Sequence, residues 1–343
     1  MVLSFYGGSV VCSKQNNLEK FMKFAILGSG SCFGTNLADH LLKNGHEVIG
    51  IGRSPKKPEC FSLGVDYPYH AYHITYELDY VMKVLDQFKP QIIVNFAAQG
   101  EGAASFNPED SWRFYETNAV GLVRLAGQLA SRTYLERFIN VGTSEFYGSV
   151  TQPSVETDPI NPTSPYGVSK SAFDLHLIVT HRVNAFPMNI LRPTNGYCPG
   201  QQLHRIIPKA LIYGWTRKIL PLHGGGKSEK SYLHATDVSK AVLLVAEKAP
   251  IGEVYNVAPD LPTSIREVVE RCANVLKIPF EKLCKVSEER LGQDSCYWLN
   301  SDKIKALGWK QTIFWDEGLE DMLNWVIDYP ELLEMPTEFT MRA

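Results

Sequence analysis

The sequence lacks several features that would place it in particular classes of protein. No uninterrupted apolar run approaches the roughly 18 residues that a membrane span requires. The formal net charge is -3, so the chain carries no polycationic field that would hold nucleic acid or an anionic membrane. Its seven cysteines are odd in number and show no C-x-x-C spacing, which favours reduced, mostly buried thiols over a zinc site or a redox pair. We therefore expect neither nucleic acid nor a membrane as a partner.

The beginning of the sequence has little of what a targeting signal contains. Residues 1–21 show neither the basic start nor the long apolar centre of a secretory signal, so cytoplasmic location is the default expectation. The segment is polar and irregular, and the strand MKFAIL that follows it opens with its own methionine, Met22. We predict that residues 1–21 form a flexible extension.

Strand and helix patterns alternate through the next part of the chain. With 343 residues, of which 44% are hydrophobic, the protein can bury the core of one large α/β domain or of two joined lobes. Uninterrupted apolar strands separated by amphipathic helices predict a parallel sheet covered on both faces, a Rossmann-type doubly wound fold. The predicted strands lie within residues 23–29, 46–53, 91–98, 137–144 and 188–195.

Proline and glycine interrupt the pattern more often after about residue 196. This change predicts a dinucleotide-binding domain over 22–195 and a smaller C-terminal α/β substrate-binding lobe over 196–343, some segments of which return to the Rossmann sheet.

A glycine-rich turn joins the first predicted strand to the first helix. In ILGSGSCFGTNL, Gly28, Gly30 and Gly34 allow a pyrophosphate to approach the backbone at a helix N-terminus, although a tight turn without a ligand stays possible. The second strand ends in VIGIGRS, where an acid that would hold the ribose of NAD is replaced by Arg53. The cation favours the 2′-phosphate of NADP, and both NAD and NADP stay open.

Polar groups cluster at the end of the strand in 137–144. Thr143, Ser144 and Glu145 follow one another there, at the carboxyl edge where parallel sheets bind ligands. Tyr166 and Lys170 stand four residues apart, just inside a helix predicted over about 165–183, and therefore share one face. An ammonium near a phenol stabilises the phenolate, which can then act as a base for a sugar hydroxyl.

These motifs together resemble those of extended short-chain dehydrogenases/reductases, in their nucleotide-sugar epimerase/dehydratase group. The similarity runs from about Met22 to about Trp325 and includes NFAAQ, ETNAVG, TSEFYG, YGVSK, LRPTNGYCPGQ and SYLHATDVSKA. TSEFYG is similar to the Thr-Ser-Glu segment of GDP-mannose 4,6-dehydratases, and to the Thr-Asp-Glu of dTDP-glucose 4,6-dehydratases with Ser144 in place of Asp. The glycine turn departs from the group at Ser31, where extended members carry a middle glycine.

The resemblance implies a 4,6-dehydratase that converts a nucleoside-diphosphate hexose to its 4-keto-6-deoxy form with a tightly bound, recycled NAD or NADP. It assigns catalysis to Thr143, Ser144, Glu145, Tyr166 and Lys170. The implied cofactor contacts are Gly28, Gly30, Ser31, Cys32, Phe33, Gly34, Arg53, Ile74, Ala97, Ala98, Gln99, Asn118, Tyr166, Lys170 and Pro193. The implied substrate contacts are Gln99, Glu101, Glu145, Asn195, Gln202, Lys230 and Arg290. Relatives commonly dimerise through two long helices, here about 110–131 and 165–183, so a homodimer is expected.

Other functions stay open beside this one. Four-epimerases of the group usually carry a small or hydroxyl residue in place of Glu145, whereas UDP-glucuronate decarboxylases share Thr-Ser-Glu but have an arginine shortly before the tyrosine, which NPTSPYGVSK lacks. A non-catalytic cofactor-binding member is a further alternative, although such members usually lose the tyrosine or the lysine. His70 and His73 have no cysteine or paired acid nearby, so no metal site is predicted. Asp237 in HATD is interpreted as a helix cap.

Overall fold

The structure is a computed structural model, and it describes residues 21–100, 102–288 and 295–339. Its fourteen described strands are β1 Lys23–Leu27, β2 Glu47–Gly52, β3 Tyr69–Ala71, β4 Ile92–Asn95, β5 Arg137–Val141, β6 Met188–Pro193, β7 Asn195–Tyr197, β8 Leu220–His223, β9 Glu229–Lys230, β10 Tyr232–His234, β11 Val254–Val257, β12 Thr263–Ser264, β13 Cys284–Ser287 and β14 Cys296–Tyr297. The predicted extension, apart from Phe21, lies outside the described residues.

The described α-helices connect these strands and cover the sheet. They are α1 Cys32–Lys43, α2 Glu59–Ser62, α3 Leu78–Phe88, α4 Ser111–Tyr115, α5 Leu122–Leu129, α6 Pro165–Asn184, α7 Ile206–Trp215, α8 Ala235–Lys248, α9 Ile265–Val275, α10 Phe280–Leu283, α11 Asp302–Leu307 and α12 Trp315–Asp328. Short 3₁₀ turns occur at Gly102–Phe106, Ser144–Phe146, Gly224–Gly226 and Pro330–Leu333. In the described residues, no helix has the length and apolar composition that crossing a membrane would need.

Seven strands form the central sheet in the order β11-β6-β5-β4-β1-β2-β3, and every neighbouring pair is parallel. The predicted Rossmann-type doubly wound fold is therefore confirmed. The strand order reverses between β1 and β4, which places a ligand crevice at the carboxyl ends of these strands. β11 comes from the part of the chain after residue 196 and pairs with β6.

The sheet is buried on both faces because successive side chains of a strand point in opposite directions. In β1, Phe24 and Ile26 join a core formed with α1 and α8, whereas Ala25 and Leu27 join a second core formed with α3, α5 and α6. The two layers of helices hold the strand ends in place and leave the loops at the carboxyl edge available for a site.

The remaining elements build a smaller lobe with its own core. β7 pairs with β10, β9 lies between β12 and β14, and β8 pairs with β13. Helices α7, α9 and α12 pack around a third apolar cluster that includes Leu211, Val269 and Met322. This lobe contributes the second wall of the crevice.

One expected helix is present with a local difference, and one expected helix cap was wrong. The helix expected over about 110–131 is interrupted by a π-helical segment, Glu116–Gly121, between α4 and α5. The wider turn directs Asn118 into the interior, where its side chain is completely buried. Asp237 does not cap its own helix, since the side chain of His234 accepts a hydrogen bond from the Thr236 N–H at that end.

The buried Asp237 carboxylate accepts hydrogen bonds from a loop that is distant in the sequence. It accepts hydrogen bonds from the backbone N–H groups of Thr312 and Ile313, at 3.0 and 2.9 Å. It therefore fixes the connection that leads from α11 to α12.

Candidate active site

The glycine turn after β1 brings three backbone segments very close together. Gly28 has φ +75°, and a Cβ there would lie 2.6 Å from the Ala97 nitrogen. A Cβ on Gly34 would lie 2.5 Å from the Cα of Ser29. Side chains are thus excluded by the fold itself, and the N-terminus of α1 is left open toward the crevice. This cradle fits the pyrophosphate of a dinucleotide.

Ser31 explains why the turn tolerates a residue other than glycine at its middle position. The serine is the N-cap of α1, where its hydroxyl oxygen accepts from the Gly34 N–H at 3.1 Å and its hydroxyl group donates to the Gly28 carbonyl at 2.8 Å. The departure from the group's glycine pattern therefore preserves the start of the helix.

The turn opens into one continuous cleft of about 1090 Å³ at the carboxyl edge of the sheet. Most residues expected at the site line this cleft. They are Gly28, Gly30, Ser31, Cys32, Phe33, Arg53, Ile74, Ala97, Ala98, Gln99, Thr143, Ser144, Glu145, Tyr166, Lys170, Pro193, Asn195, Gln202 and Lys230. Glu101 and Arg290 lie outside the described residues.

Two of the expected cofactor contacts do not line the cleft. Gly34 packs against the backbone of the turn instead. Asn118 donates to the Gln99 carbonyl at 3.0 Å and to the Ser169 hydroxyl at 2.9 Å, while the Gln99 N–H donates to Asn118 at 2.7 Å. Asn118 thus connects the loop after β4 to α6. It does not face the cleft itself, but it holds the backbone of Gln99, which does.

Arg53 lines the cleft directly after β2. Its Nη1 donates to Oε1 of Gln99 at 3.0 Å. His73 stands nearby, and burial together with the Arg53 charge lowers the pKa of its imidazole below the ordinary value. At neutral pH this favours a neutral histidine beside a cationic arginine.

The segment after β5 turns three polar residues toward the cleft. Thr143 begins the 3₁₀ turn Ser144–Phe146, and its hydroxyl accepts from the Glu145 N–H at 3.2 Å. The Glu145 carboxylate accepts a hydrogen bond from the Ser164 hydroxyl at 2.6 Å. Both the backbone and the carboxylate of Glu145 are therefore held.

Tyr166 and Lys170 occupy the first turns of α6, beginning with Pro165 at its first position. The Tyr166 N–H donates to the Ser105 hydroxyl at 3.1 Å, and Lys170 Nζ donates to the Val141 carbonyl at 2.8 Å. Burial lowers the pKa of Lys170 to about 8, against the opposing effect of the Asp174 carboxylate. The lysine consequently remains mostly an ammonium at pH 7.

A buried ion pair lies directly behind Lys170. Arg192 Nε contacts Asp174 Oδ2 at 3.0 Å, and the other carboxylate oxygen accepts from Asn140 at 2.8 Å. Arg192 also donates to the Tyr147 hydroxyl at 2.9 Å. The pair links β6 to α6 and so fixes the helix that carries Tyr166 and Lys170.

Sequence reasoning missed part of the cleft wall. His204, Arg205 and Lys209 line it from the start of α7, and Met335 and Phe339 line it from the end of the described chain. The basic residues of QQLHRIIPKA were a signal, because cations spaced among apolar helical residues indicate a helix with one charged face. The C-terminal residues carried no comparable pattern.

Comparison with known proteins agrees with this geometry. A family model described as the NAD dependent epimerase/dehydratase family matches residues 24–258. The chain belongs to this family. The predicted family is thereby confirmed, and with it an epimerase/dehydratase type of enzyme that uses a nicotinamide cofactor. In the described part of the chain, no group of three His, Cys, Asp or Glu side chains could hold a metal ion.

Relatives within the epimerase/dehydratase family match most of the chain. The dTDP-D-glucose 4,6-dehydratase of Homo sapiens is 30% identical over 252 residues, covering 72% of this chain and 71% of the relative. A trifunctional UDP-glucose 4,6-dehydratase/epimerase/reductase of Arabidopsis thaliana is 30% identical over 243 residues, or 70% of this chain. The matched region spans only 36% of that plant protein.

Solved structures of the epimerase/dehydratase type have the same fold. A dTDP-glucose 4,6-dehydratase from Bacillus anthracis, in complex with NAD, has a TM-score of 0.81 at 26% identity and covers 91% of this chain and 98% of its own. The UDP-glucose 4-epimerase of Thermotoga maritima has a TM-score of 0.83 at 23% identity, with 90% and 100% covered, and supports the fold alone.

Proposed function

We propose that the protein is a nucleotide-sugar 4,6-dehydratase, which converts a nucleoside-diphosphate hexose to its 4-keto-6-deoxy form. The observation that carries the proposal is the carboxylate of Glu145, which lines the same cleft as Tyr166, Lys170 and Thr143. Epimerisation at C4 needs a hydroxyl base and a hydride acceptor, but no carboxylate for a carbon acid. A dehydratase needs that third group.

The first step requires a base for the C4 hydroxyl. Tyr166 takes this proton as a phenolate, and the adjacent Lys170 ammonium stabilises the phenolate by its charge. Thr143 supports the same hydroxyl. A dinucleotide held at the glycine turn by Gly28 and Gly30, with its nicotinamide near Pro193, would supply the hydride chemistry at C4 and C6.

The second step eliminates water. A ketone at C4 acidifies the C5 proton, which Glu145 removes. The C5–H electron pair becomes the C5–C6 double bond as the C6–O bond breaks, and the proton on Glu145 passes to the departing hydroxyl to form water. Hydride is then returned to C6, C5 takes up a proton from solvent, and Tyr166 releases the proton of the C4 hydroxyl to solvent, so that the net change is the loss of one water.

The substrate diphosphate is assigned to the cationic wall of the smaller lobe. Lys230 lines the cleft from β9, and Arg205 and Lys209 line it from the start of α7, where Lys209 also pairs with Glu338 at 2.7 Å. Fixed cations facing one cavity suit the charges of a diphosphate. Asn195 and Gln202 lie between this wall and the catalytic residues along the chain, and we assign them to the sugar.

The cofactor is NAD or NADP, and Arg53 decides between them. It follows β2, where an acid would otherwise hold the ribose hydroxyls, and it lines the cleft. The exposed guanidinium beside this position favours a 2′-phosphate. We also propose a homodimer formed through α4, α5 and α6, because Val168, Leu175 and Val179 leave an exposed apolar stripe along α6.

The test is incubation of the purified protein with GDP-, UDP-, CDP- and dTDP-hexoses, followed by mass spectrometry. Loss of one water from a hexose supports a dehydratase, whereas an unchanged mass with altered C4 stereochemistry supports a 4-epimerase. Loss of carbon dioxide from a uronic acid supports a decarboxylase. A purified protein that binds a nicotinamide dinucleotide but changes none of these sugars would support a non-catalytic, cofactor-binding role.

A matched pair of variants tests the role of Glu145. Glu145→Gln keeps the shape of the side chain but removes its base, so reduced nicotinamide should accumulate without release of water. Glu47→Gln changes a carboxylate at the amino end of β2, on the opposite edge of the sheet, and should leave turnover unaltered. Dehydration by Glu145→Gln at the normal rate would refute the assignment.

A further inference from the structure

Ser164 makes two hydrogen bonds that connect a helix start to the proposed base. It is the N-cap of α6, where its hydroxyl oxygen accepts from the Gly167 N–H at 2.9 Å. The same hydroxyl donates to Glu145 Oε2 at 2.6 Å. The residue is 6% exposed, so water competes little for either bond.

The two bonds use different parts of one hydroxyl group. A serine oxygen has two lone pairs and one hydrogen. Capping takes up a lone pair, and this fixes the direction in which the remaining hydrogen points. The separation of 2.6 Å is typical of a hydroxyl that donates to an ionised carboxylate. The start of a 20-residue helix therefore aims a donor at Glu145.

Close packing limits the space around this contact. Gly167 follows Ser164 by three residues, and a Cβ on it would lie 3.2 Å from Ser164 Oγ and 3.4 Å from Glu145 Cβ. The Glu145 N–H is bound in turn by the Thr143 hydroxyl at 3.2 Å. The glutamate is thus held at its backbone and at one carboxylate oxygen.

We propose that Ser164 is a positioning residue, which holds Oε2 of Glu145 so that Oε1 is the oxygen that exchanges protons with C5 and with the departing C6 hydroxyl. This inference rests on the proposed dehydratase function. One carboxylate must serve both atoms in turn, and a glutamate side chain has several rotatable bonds. When Oε2 is fixed, Oε1 stays within reach of both C5 and the C6 hydroxyl, and the side chain does not have to sample other rotamers.

The proposal predicts a defect confined to elimination. Ser164→Ala should lower kcat by about tenfold or more, which is part of the roughly 100-fold or greater loss expected when a base is removed outright. KM and the rate of C4 oxidation should stay near their wild-type values, because Ser164 acts through Glu145. Ser164→Thr keeps a capping hydroxyl and should restore turnover to within about threefold.

A kinetic isotope effect separates this role from loss of a helix cap. With a substrate deuterated at C5, the isotope effect on kcat should increase in Ser164→Ala, because breaking the C5–H bond becomes slower than the other steps. Asn300→Ala is the control, since the Asn300 side chain accepts from the Asp302 N–H at 2.8 Å at the start of α11, a helix that does not line the cleft. It should lower stability while leaving kcat and the isotope effect unchanged.

Each result decides for or against the proposal. Slower elimination in Ser164→Ala with a larger isotope effect, restored by threonine, supports it. Equal kcat and isotope effect in Ser164→Ala and wild type overturn it, provided that wild type releases water and Glu145→Gln does not. An equal loss in the alanine and threonine variants, with no change in isotope effect, also overturns it. If wild type releases no water from any hexose, the proposed function fails, and this inference fails with it.

Discussion

The buried ion pair behind Lys170 offers the sharpest test of how the fold holds its site. We expect Asp174→Asn to destabilise the protein strongly, because it leaves the guanidinium of Arg192 without a counter-charge. Both side chains of the pair are only 2% exposed, and their contact is 3.0 Å. Burial lowers the pKa of Arg192, but Asp174 and Tyr147 outweigh it, so that this pKa lies above its ordinary value.

Removing one partner of such a pair costs about 3–5 kcal/mol. Total stabilities of about 5–15 kcal/mol make this a large fraction. The hydrogen bond that Asn140 donates at 2.8 Å can persist to the amide oxygen that Asp174→Asn introduces, but the new amide nitrogen then faces the Arg192 Nε–H, so the loss reports both the charge and the hydrogen bond from Arg192. Exposed pairs contribute about 1 kcal/mol at most, and Arg132 with Asp86 at 2.9 Å, 31% and 41% exposed, is an internal comparison.

Urea unfolding followed by the fluorescence of the six tryptophans measures these differences. Asp174→Asn should lower the free energy of unfolding by about 3–5 kcal/mol, and Asp86→Asn by about 1 kcal/mol or less. Adding Arg192→Met to Asp174→Asn removes the uncompensated charge and should recover most of the loss. A loss below about 1 kcal/mol in Asp174→Asn, or no recovery in the double variant, would refute the reasoning.

Three further predictions concern the cofactor cradle and the lysine. Gly34→Ala should abolish dinucleotide binding in a fluorescence titration, since its Cβ would lie 2.5 Å from the Cα of Ser29. Gly127→Ala is the matched control: a Cβ there would meet no neighbouring group within 4 Å, so this variant should bind normally. Normal binding by the first variant would contradict the cradle geometry. The folded pKa of Lys170 is about 8 and the ordinary one 10.5, so the native state holds fewer protons between these values. The free energy of unfolding of wild type, measured by urea unfolding, should therefore rise by up to about 3 kcal/mol relative to that of Lys170→Met between pH 8 and pH 10.5. A difference between the two proteins that does not change with pH would contradict the burial argument. Arg53→Asp should shift the ratio of NADP to NAD affinity by about tenfold or more toward NAD, and an unchanged ratio would remove Arg53 from the choice.

Local patterns made the fold and the family predictable. Buried parallel strands read as continuous apolar runs, and each predicted strand contains an observed one, as residues 23–29 contain Lys23–Leu27. The helix expected over about 165–183 is observed as Pro165–Asn184, because Pro165 and the serine before it mark its start. Turn glycines and the Tyr-x-x-x-Lys spacing are short-range features that need no tertiary information.

The helix before β5, with its π-helical segment, shows what such patterns miss. Its composition is that of a continuous helix, but Asn118 must reach Gln99 and Ser169 in the interior. The wider turn satisfies these contacts at the expense of regular helical bonding. Neither partner lies near Asn118 in the sequence, so the interruption had no local signal.

The sequence by itself determined the order of the strands and helices, the glycine cradle and the residues that carry the proposed chemistry, because these depend on side-chain types at short spacing. Only the tertiary structure decided that Ser31 replaces a glycine by capping α1, that Ser164 holds Glu145, and that Asp174 and Arg192 pair behind Lys170. Most of these contacts join segments that are distant in the chain. They form because burial removes water from polar groups, which then need hydrogen-bond partners within the protein.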